Sequence, residues 1–172
     1  MRITVLQGDI TREQVDTIVN AANSGLRGGG GVDDSIHRAA GPELMQECDK
    51  IRASQGGCPT GSAVITPAGN LPCRYVIHAV GPKMGEGDED RKLSAAVRSS
   101  LALADRHGLK SVAIPAISTG NYGFPVERCA RILLTEVHRY LQGGTKLQRV
   151  IVCLFDEATW KLFARELRRG FR

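Results

Sequence analysis

Four consecutive glycines, Gly28 to Gly31, constrain this 172-residue chain more than any other stretch. A run without side chains forfeits packing and raises the backbone entropy lost on folding, so its use is to let something approach the main chain closely. It lies inside TIVNAANSGLRGGGGVDDSIHRAAG, Thr17 to Gly41. There an apolar β-type run (Thr17, Ile18, Val19) reaches Asn20 and Asn23, crosses the glycines and enters a helix through Ile36, His37, Ala39 and Ala40. Asp33 or Asp34 is expected to cap that helix, whose first turn offers free N–H groups. Backbone amides beside a helix N-terminus suit an anion such as a phosphate. A flexible surface loop followed by a capped helix is the bland alternative. Asparagines on one side and acids on the other favour a ligand.

The rest of the chain alternates strand and helix. Ile3 to Leu6 reads as a strand stopped at Gly8, with Asp9 heading a short Thr11-Arg12-Glu13 turn that it can cap. Val15 to Val19 is the expected second strand. Gly41 ends the first helix and Pro42 opens the next, in which Leu44, Cys48 and Ile51 share one face. Ala63 to Thr66 is a short strand. Arg74 to Val80 reads as a buried strand because its apolar residues are almost continuous, and within it His78 is expected as hydrogen-bonded core. An acidic loop, Gly85 to Asp90, precedes an amphipathic helix from Arg91 to His107 that ends at Gly108. Ser111 to Ile114 delivers a second glycine-bearing loop, Pro115 to Pro125, and then a helix from Val126 to Leu141. Leu147 to Phe155 is a strongly apolar strand, and Asp156 caps a last helix through Trp160, Phe163 and Leu167. This alternation implies an α/β chain: one domain over residues 1–172, built as a three-layer α/β/α sandwich around a mixed, largely parallel sheet.

Composition narrows the chemistry. The formal charge of +5 favours anionic partners. The densest basic cluster, Arg165, Arg168, Arg169 and Arg172 with Glu166, reads as a solvated helix face rather than a nucleic-acid site. Five scattered cysteines without a Cys-x-x-Cys pair read as reduced thiols, and the four histidines lack ligand spacing, so no metal is expected. No apolar run suits a signal sequence or a membrane span, which makes a cytoplasmic location the expectation. There is no Gly-x-x-x-x-Gly-Lys-Ser/Thr loop, and the glycine run lacks the spacing of a dinucleotide fingerprint.

Taken together, Asn20-Ala21-Ala22-Asn23, Leu26, the glycine run, Val32-Asp33, Ile36-His37 and Ala39-Ala40-Gly41 resemble the signature of macrodomains, specifically the MacroD-type class that binds and often hydrolyses ADP-ribose groups. Gln7-Gly8-Asp9-Ile10-Thr11, Tyr75-Val76-Ile77-His78 with Val80-Gly81-Pro82, and Pro115 to Gly120 running to Gly123-Phe124-Pro125 extend the resemblance over nearly the whole chain. It implies that the Asp9 carboxylate accepts a hydrogen bond from the adenine amino group while the Ile10 amide reads another edge of the ring. It also implies a diphosphate clamp without a lysine: Gly30, Gly31 and Val32 on one side, with Ser118, Thr119, Gly120, Asn121, Tyr122 and Gly123 on the other. Phe124 would pack beside the distal ribose and Phe155 would line the adenosine side, each with ordinary core as its bland alternative.

For catalysis the resemblance implies that Asn23 holds the distal ribose and Asp33 orients or activates a water near its anomeric carbon. Asn20, at a strand-to-loop junction, is expected to brace the loop. No cofactor is implied. The implied partners are ADP-ribose and ADP-ribosylated proteins or O-acetyl-ADP-ribose, met by a monomer without membrane contact; nucleic acid is not expected as a partner, with ADP-ribosylated nucleic acid left open, and RNA or poly-ADP-ribose binding through the basic surface is a third class that rests on charge alone. The chain departs from the pattern at Gly61-Ser62-Ala63, where relatives commonly carry an acid, and at Asp34-Ser35, where a smaller pair is common. Neither departure removes a presumed catalytic group. A module that binds ADP-ribose without turnover is the alternative function.

Overall fold

The computed structural model describes residues 2–170. Six strands, β1 (Ile3–Gln7), β2 (Thr17–Ala21), β3 (Ala63–Pro67), β4 (Tyr75–Ala79), β5 (Ser111–Ile114) and β6 (Arg149–Leu154), form one sheet in the order β1-β6-β5-β2-β4-β3. All neighbouring pairs are parallel except β3 with β4, so the mixed character is confined to one edge.

Strand alternation divides the core into two layers. Val19, Ile77, Val112, Ile114, Val150 and Val152 face a cluster with α3 (Glu89–Arg106), α4 (Val126–Leu141) and α5 (Glu157–Gly170). Ile18, Val76, Ala113 and Ile151 face α1 (Val32–Ala40) and α2 (Pro42–Gln55), whose Ile36, Ala40 and Leu44 are buried there. The expected three-layer α/β/α sandwich is therefore the architecture.

The second strand lies two residues later than expected. Register with β4 pairs Thr17 with Tyr75 through Ala21 with Ala79, which carries Asn20 into the fully buried centre of the sheet. The third helix also starts earlier, at Glu89, with Glu89 Oε2 accepting from the Gly85 and Gly87 amides. The strand and helix after Lys110 match expectation at β5 and α4, and Asp156 caps α5 by accepting from the Thr159 amide at 3.1 Å.

Topology locates the site. After β2 the chain passes through α1, α2 and β3 to β4 on one side, whereas after β5 it passes through α4 to β6 on the other. Because β2 and β5 are neighbours, their outgoing connections diverge at the carboxyl ends of adjacent strands, opening the crevice where α/β sheets take ligands.

Candidate active site

Two adjoining hollows occupy that crevice, one of about 290 Å³ and one of about 200 Å³, with Val32, Pro115, Cys153 and Phe155 common to both walls. They make one elongated cleft. The larger is walled by Asn23, Gly29 and Gly30 from the loop after β2, by Asp33 from the first turn of α1 and by residues 115–122 from the loop after β5. The smaller is walled by Gly8, Asp9, Ile10, Gly31 and Ser35. Of the residues predicted to meet the ligand, Asp9, Ile10 and Gly31 thus wall the smaller hollow, Asn23, Gly30, Asp33 and residues 118–122 the larger, and Val32 and Phe155 both.

The glycine run ends at Gly31, whose φ of 63° places it in the left-handed region at the N-cap of α1. The cap is the backbone itself, so the expectation that Asp33 or Asp34 caps this helix is corrected. Asp34 pairs with Arg38 on the surface. The Asp33 side chain turns inward instead, because a donor stands across the interface on β2.

That donor is Asn20. Its Nδ2 donates to Asp33 Oδ1 at 2.9 Å and lies 3.2 Å from His78 Nδ1, while His78 Nε2 lies 3.0 Å from Thr66 Oγ1. Since an amide nitrogen carries only donors, His78 Nδ1 must accept and its proton resides on Nε2, directed at Thr66. Burial first, then the nearby His37, pulls the His78 pKa from 6.5 to about 4, so the ring is neutral at pH 7. The expectation of a hydrogen-bonded core histidine holds. His37 Nε2 stands 3.3 Å from the same Asp33 oxygen, and Asp33 is only 4 % exposed.

The loop-bracing role expected of Asn20 belongs to Asn23. Asn23 Nδ2 donates to the Gly28 carbonyl at 2.7 Å and its Oδ1 accepts from the Arg27 amide at 3.1 Å, closing the turn into the glycine run. A methyl added at Gly29 would stand 3.6 Å from Asp33 Oδ2 and 3.7 Å from Asn23 Nδ2. The second carboxylate oxygen and the Asn23 amide therefore both border Gly29, a residue with no side chain to cover either.

Asp9 performs the capping expected of it, accepting from the Thr11 amide and hydroxyl through Oδ1 at 3.0 and 2.7 Å. Its Oδ2 has only a long contact to the exposed Arg12. Ser118, Thr119, Gly120, Asn121 and Tyr122 line the larger hollow as expected, with the buried Ser118 Oγ left without a partner. Ser118 crowds Gly81, where a Cβ would fall 2.2 Å from that oxygen; only glycine fits there. Burial, then the Asp33 charge, pushes the Tyr122 phenol up and keeps it neutral.

Phe155 projects at the lip with 79 % exposure, whereas Phe124 is enclosed in the main core with the Arg128 guanidinium over its ring. The wall of the cleft is built without Phe124 and without Gly123, both expected there. Phe124 follows the loop after it has turned back toward α4, where its amide donates to the Ser118 carbonyl, and so it anchors the loop from below. Sequence reasoning passed over His37, although its i, i+4 spacing from Asp33 on a helix was the available signal. It also missed Gly29, Pro115 and Cys153. Burial pushes the Cys153 thiol up to about 12, which leaves it un-ionised and unsuited to nucleophilic attack.

A family model described as Macro domain matches residues 19–133, and the chain belongs to that family. An O-acetyl-ADP-ribose deacetylase from Escherichia fergusonii is 54 % identical over 168 residues, covering 96 % of this chain and 95 % of that protein. The Oceanobacillus iheyensis macrodomain with ADP has a similar structure, with a TM-score of 0.92 at 39 % identity over 95 % of this chain and 88 % of that one. The Trypanosoma brucei macrodomain in complex with ADP-ribose superposes with a TM-score of 0.89 at 40 % identity, covering 96 % and 69 % of the two chains.

Proposed function

We propose that this macrodomain binds ADP-ribose and hydrolyses esters carried on its distal ribose, namely O-acetyl-ADP-ribose and mono-ADP-ribose linked to acidic side chains. The observation that carries this reading is Asp33: a buried carboxylate held by Asn20 and flanked by His37 on the wall of the larger hollow, beside Asn23. A binding module needs the cleft but has no use for such a group.

The ligand lies with its adenine in the smaller hollow, where Asp9 Oδ2 and the Ile10 amide meet the ring edge and Phe155 covers its face. The diphosphate passes between the amides of Gly30 to Val32 and those of the loop from Ser118 to Tyr122. The distal ribose then reaches Asn23 and Asp33. Water attacks the acyl carbon of O-acetyl-ADP-ribose, or the anomeric carbon of an acidic-residue linkage. Asp33 orients that water and takes its proton; in the first route the proton passes to the departing ribose oxygen, giving ADP-ribose and acetic acid, and in the second to the departing carboxylate, giving ADP-ribose and the free side-chain acid. Asn20 and His37 fix the carboxylate so that Oδ2 faces the ribose.

The test is direct. Purified protein incubated with O-acetyl-ADP-ribose, and separately with a glutamate-linked ADP-ribosylated peptide, should release acetate and ADP-ribose respectively. Tight ADP-ribose binding without release from either substrate would leave only the binding-module reading.

A further inference from the structure

Parallel register gathers cations that are far apart in the sequence onto the end of the sheet opposite the cleft. Arg2 precedes β1, Arg149 opens β6, Lys110 precedes β5 and Arg74 precedes β4. In the strand order these four form a row interrupted only by Asp16, which precedes β2. At the usual spacing of about 4.8 Å between strands the row is roughly 19 Å long. Arg106, at the end of α3, and Lys146, before β6, stand beside it, because the Asp105 carboxylate accepts from the Lys146 amide. All six residues are exposed.

None of the six is ion-paired with another described residue. The acids nearby are turned to other donors. Asp16 Oδ2 accepts from the Lys110 and Ser111 amides, and Asp105 accepts from the Tyr140 and Thr145 hydroxyls as well as Lys146. Pairing elsewhere is mixed: Arg38, Lys50 and Arg91 each have a carboxylate partner, while the exposed Arg27, Lys83, Arg131 and Arg139 have none among the described residues, so the row is set apart by its alignment along one end of the sheet. Compensation of a helix dipole accounts for Arg106, in the last turn of α3, and for Arg2, whose guanidinium donates to the Leu141 carbonyl at the end of α4 and to the Leu147 carbonyl before β6. It does not account for Arg74 or Arg149, and Lys110, which follows the turn closing α3, has no side-chain bond to a helix carbonyl among the described residues. Arg74 lies over the Tyr75 ring at 5.5 Å instead of against an acid.

We propose that this row is a binding surface for the sugar–phosphate backbone of a nucleic acid, which holds the macrodomain on its partner while the cleft at the far end remains open. A lipid surface fits less well, since membrane association also needs apolar side chains to insert. The large exposed apolar residues among those described, Met84 and Phe155, both belong to the cleft end. A protein partner would similarly need an apolar or aromatic anchor at the centre of the patch, whereas Tyr75 lies at its Arg74 end, half-buried beneath that guanidinium. The inference does not depend on the hydrolase reading.

Fluorescence anisotropy with labelled oligonucleotides of about 20 nucleotides, as RNA and as duplex DNA, tests it across about 50 to 200 mM salt. Contact with about four phosphates predicts an affinity that falls on the order of 10²-fold over that range. The triple variant Arg74→Glu/Lys110→Glu/Arg149→Glu should abolish binding. A control with the same change in net charge, Arg38→Glu/Lys50→Glu/Arg91→Glu, should retain most of it. ADP-ribose affinity, measured by calorimetry on both variants, should equal that of wild type and confirms their folding. The proposal is overturned if wild type binds neither oligonucleotide at the lowest salt, or if both triple variants lose binding equally. Binding to phosphatidylserine vesicles without binding to either oligonucleotide also overturns it.

Discussion

Asn20 Nδ2 donates to Asp33 Oδ1 across 2.9 Å, joining the centre of the sheet to the first turn of α1 with both side chains closed to solvent. A carboxylate placed this way has one oxygen committed to the fold and the other beside Gly29. Its orientation is set by a side chain of β2. Truncating either partner strands a buried polar group, at a typical cost of about 1–3 kcal/mol.

Replacing Asp33 with alanine separates catalysis from binding. Single-turnover release of acetate or ADP-ribose should fall roughly 10²-fold or more, the range for losing general-base assistance. ADP-ribose affinity should survive if, as proposed, backbone amides hold the diphosphate. Unchanged turnover per folded molecule, alongside a lowered melting temperature, would reduce Asp33 to a structural partner of Asn20.

The neutral state of His78 gives a pH dependence with a definite sign. The unfolded chain takes up a proton near 6.5 and the folded ring only near 4. The histidine therefore contributes stability that is complete above about 6.5 and is lost as pH falls toward 4. The loss approaches on the order of 3 kcal/mol. Urea melts of wild type and His78→Gln over that window should converge as pH falls, since the variant lacks this group. A constant difference between the two would contradict a buried neutral histidine.

At the other end of the cleft, Asp9→Ala should weaken ADP-ribose binding by about 1–3 kcal/mol by removing the acceptor for a buried amino donor. The same change removes the cap on Thr11 and should cost about 0.5–2 kcal/mol of stability. Asp9→Asn should restore part of both, since its amide oxygen still accepts. Calorimetry showing wild-type affinity for Asp9→Ala would remove this residue from the ligand site.

Bulk introduced into the clamp should block the ligand and spare the fold. A Cβ at Gly30 would lie 3.3 Å from Asn121 Nδ2, and one at Gly120 meets nothing within 4 Å. Neither glycine has a positive φ, so valine is accommodated by the backbone at both. Gly30→Val and Gly120→Val are expected to melt cooperatively while losing ADP-ribose affinity. Loss of the folded circular-dichroism signal in Gly120→Val would instead make that position a folding requirement.

The strands after Lys110, the helices and the two glycine-bearing loops were legible in the sequence because they depend on local chemistry: apolar periodicity, capping residues and the steric freedom of glycine. The same local signals, with the macrodomain resemblance, placed Asp9, Asn23, Asp33 and the loop from Ser118 to Tyr122 in one site. They misread Asn20 because a junction asparagine and a buried one look alike until strand register is known, and register with β4 is a long-range property. They misread Asp33 as a cap because capping is local, whereas its donor lies on another strand. Phe124 followed the loop in sequence but left the cleft in space, since an aromatic ring beside α4 buries more surface in the core. Only the tertiary structure could align Arg2, Arg74, Lys110 and Arg149, because residues so far apart in the chain become neighbours through parallel pairing alone.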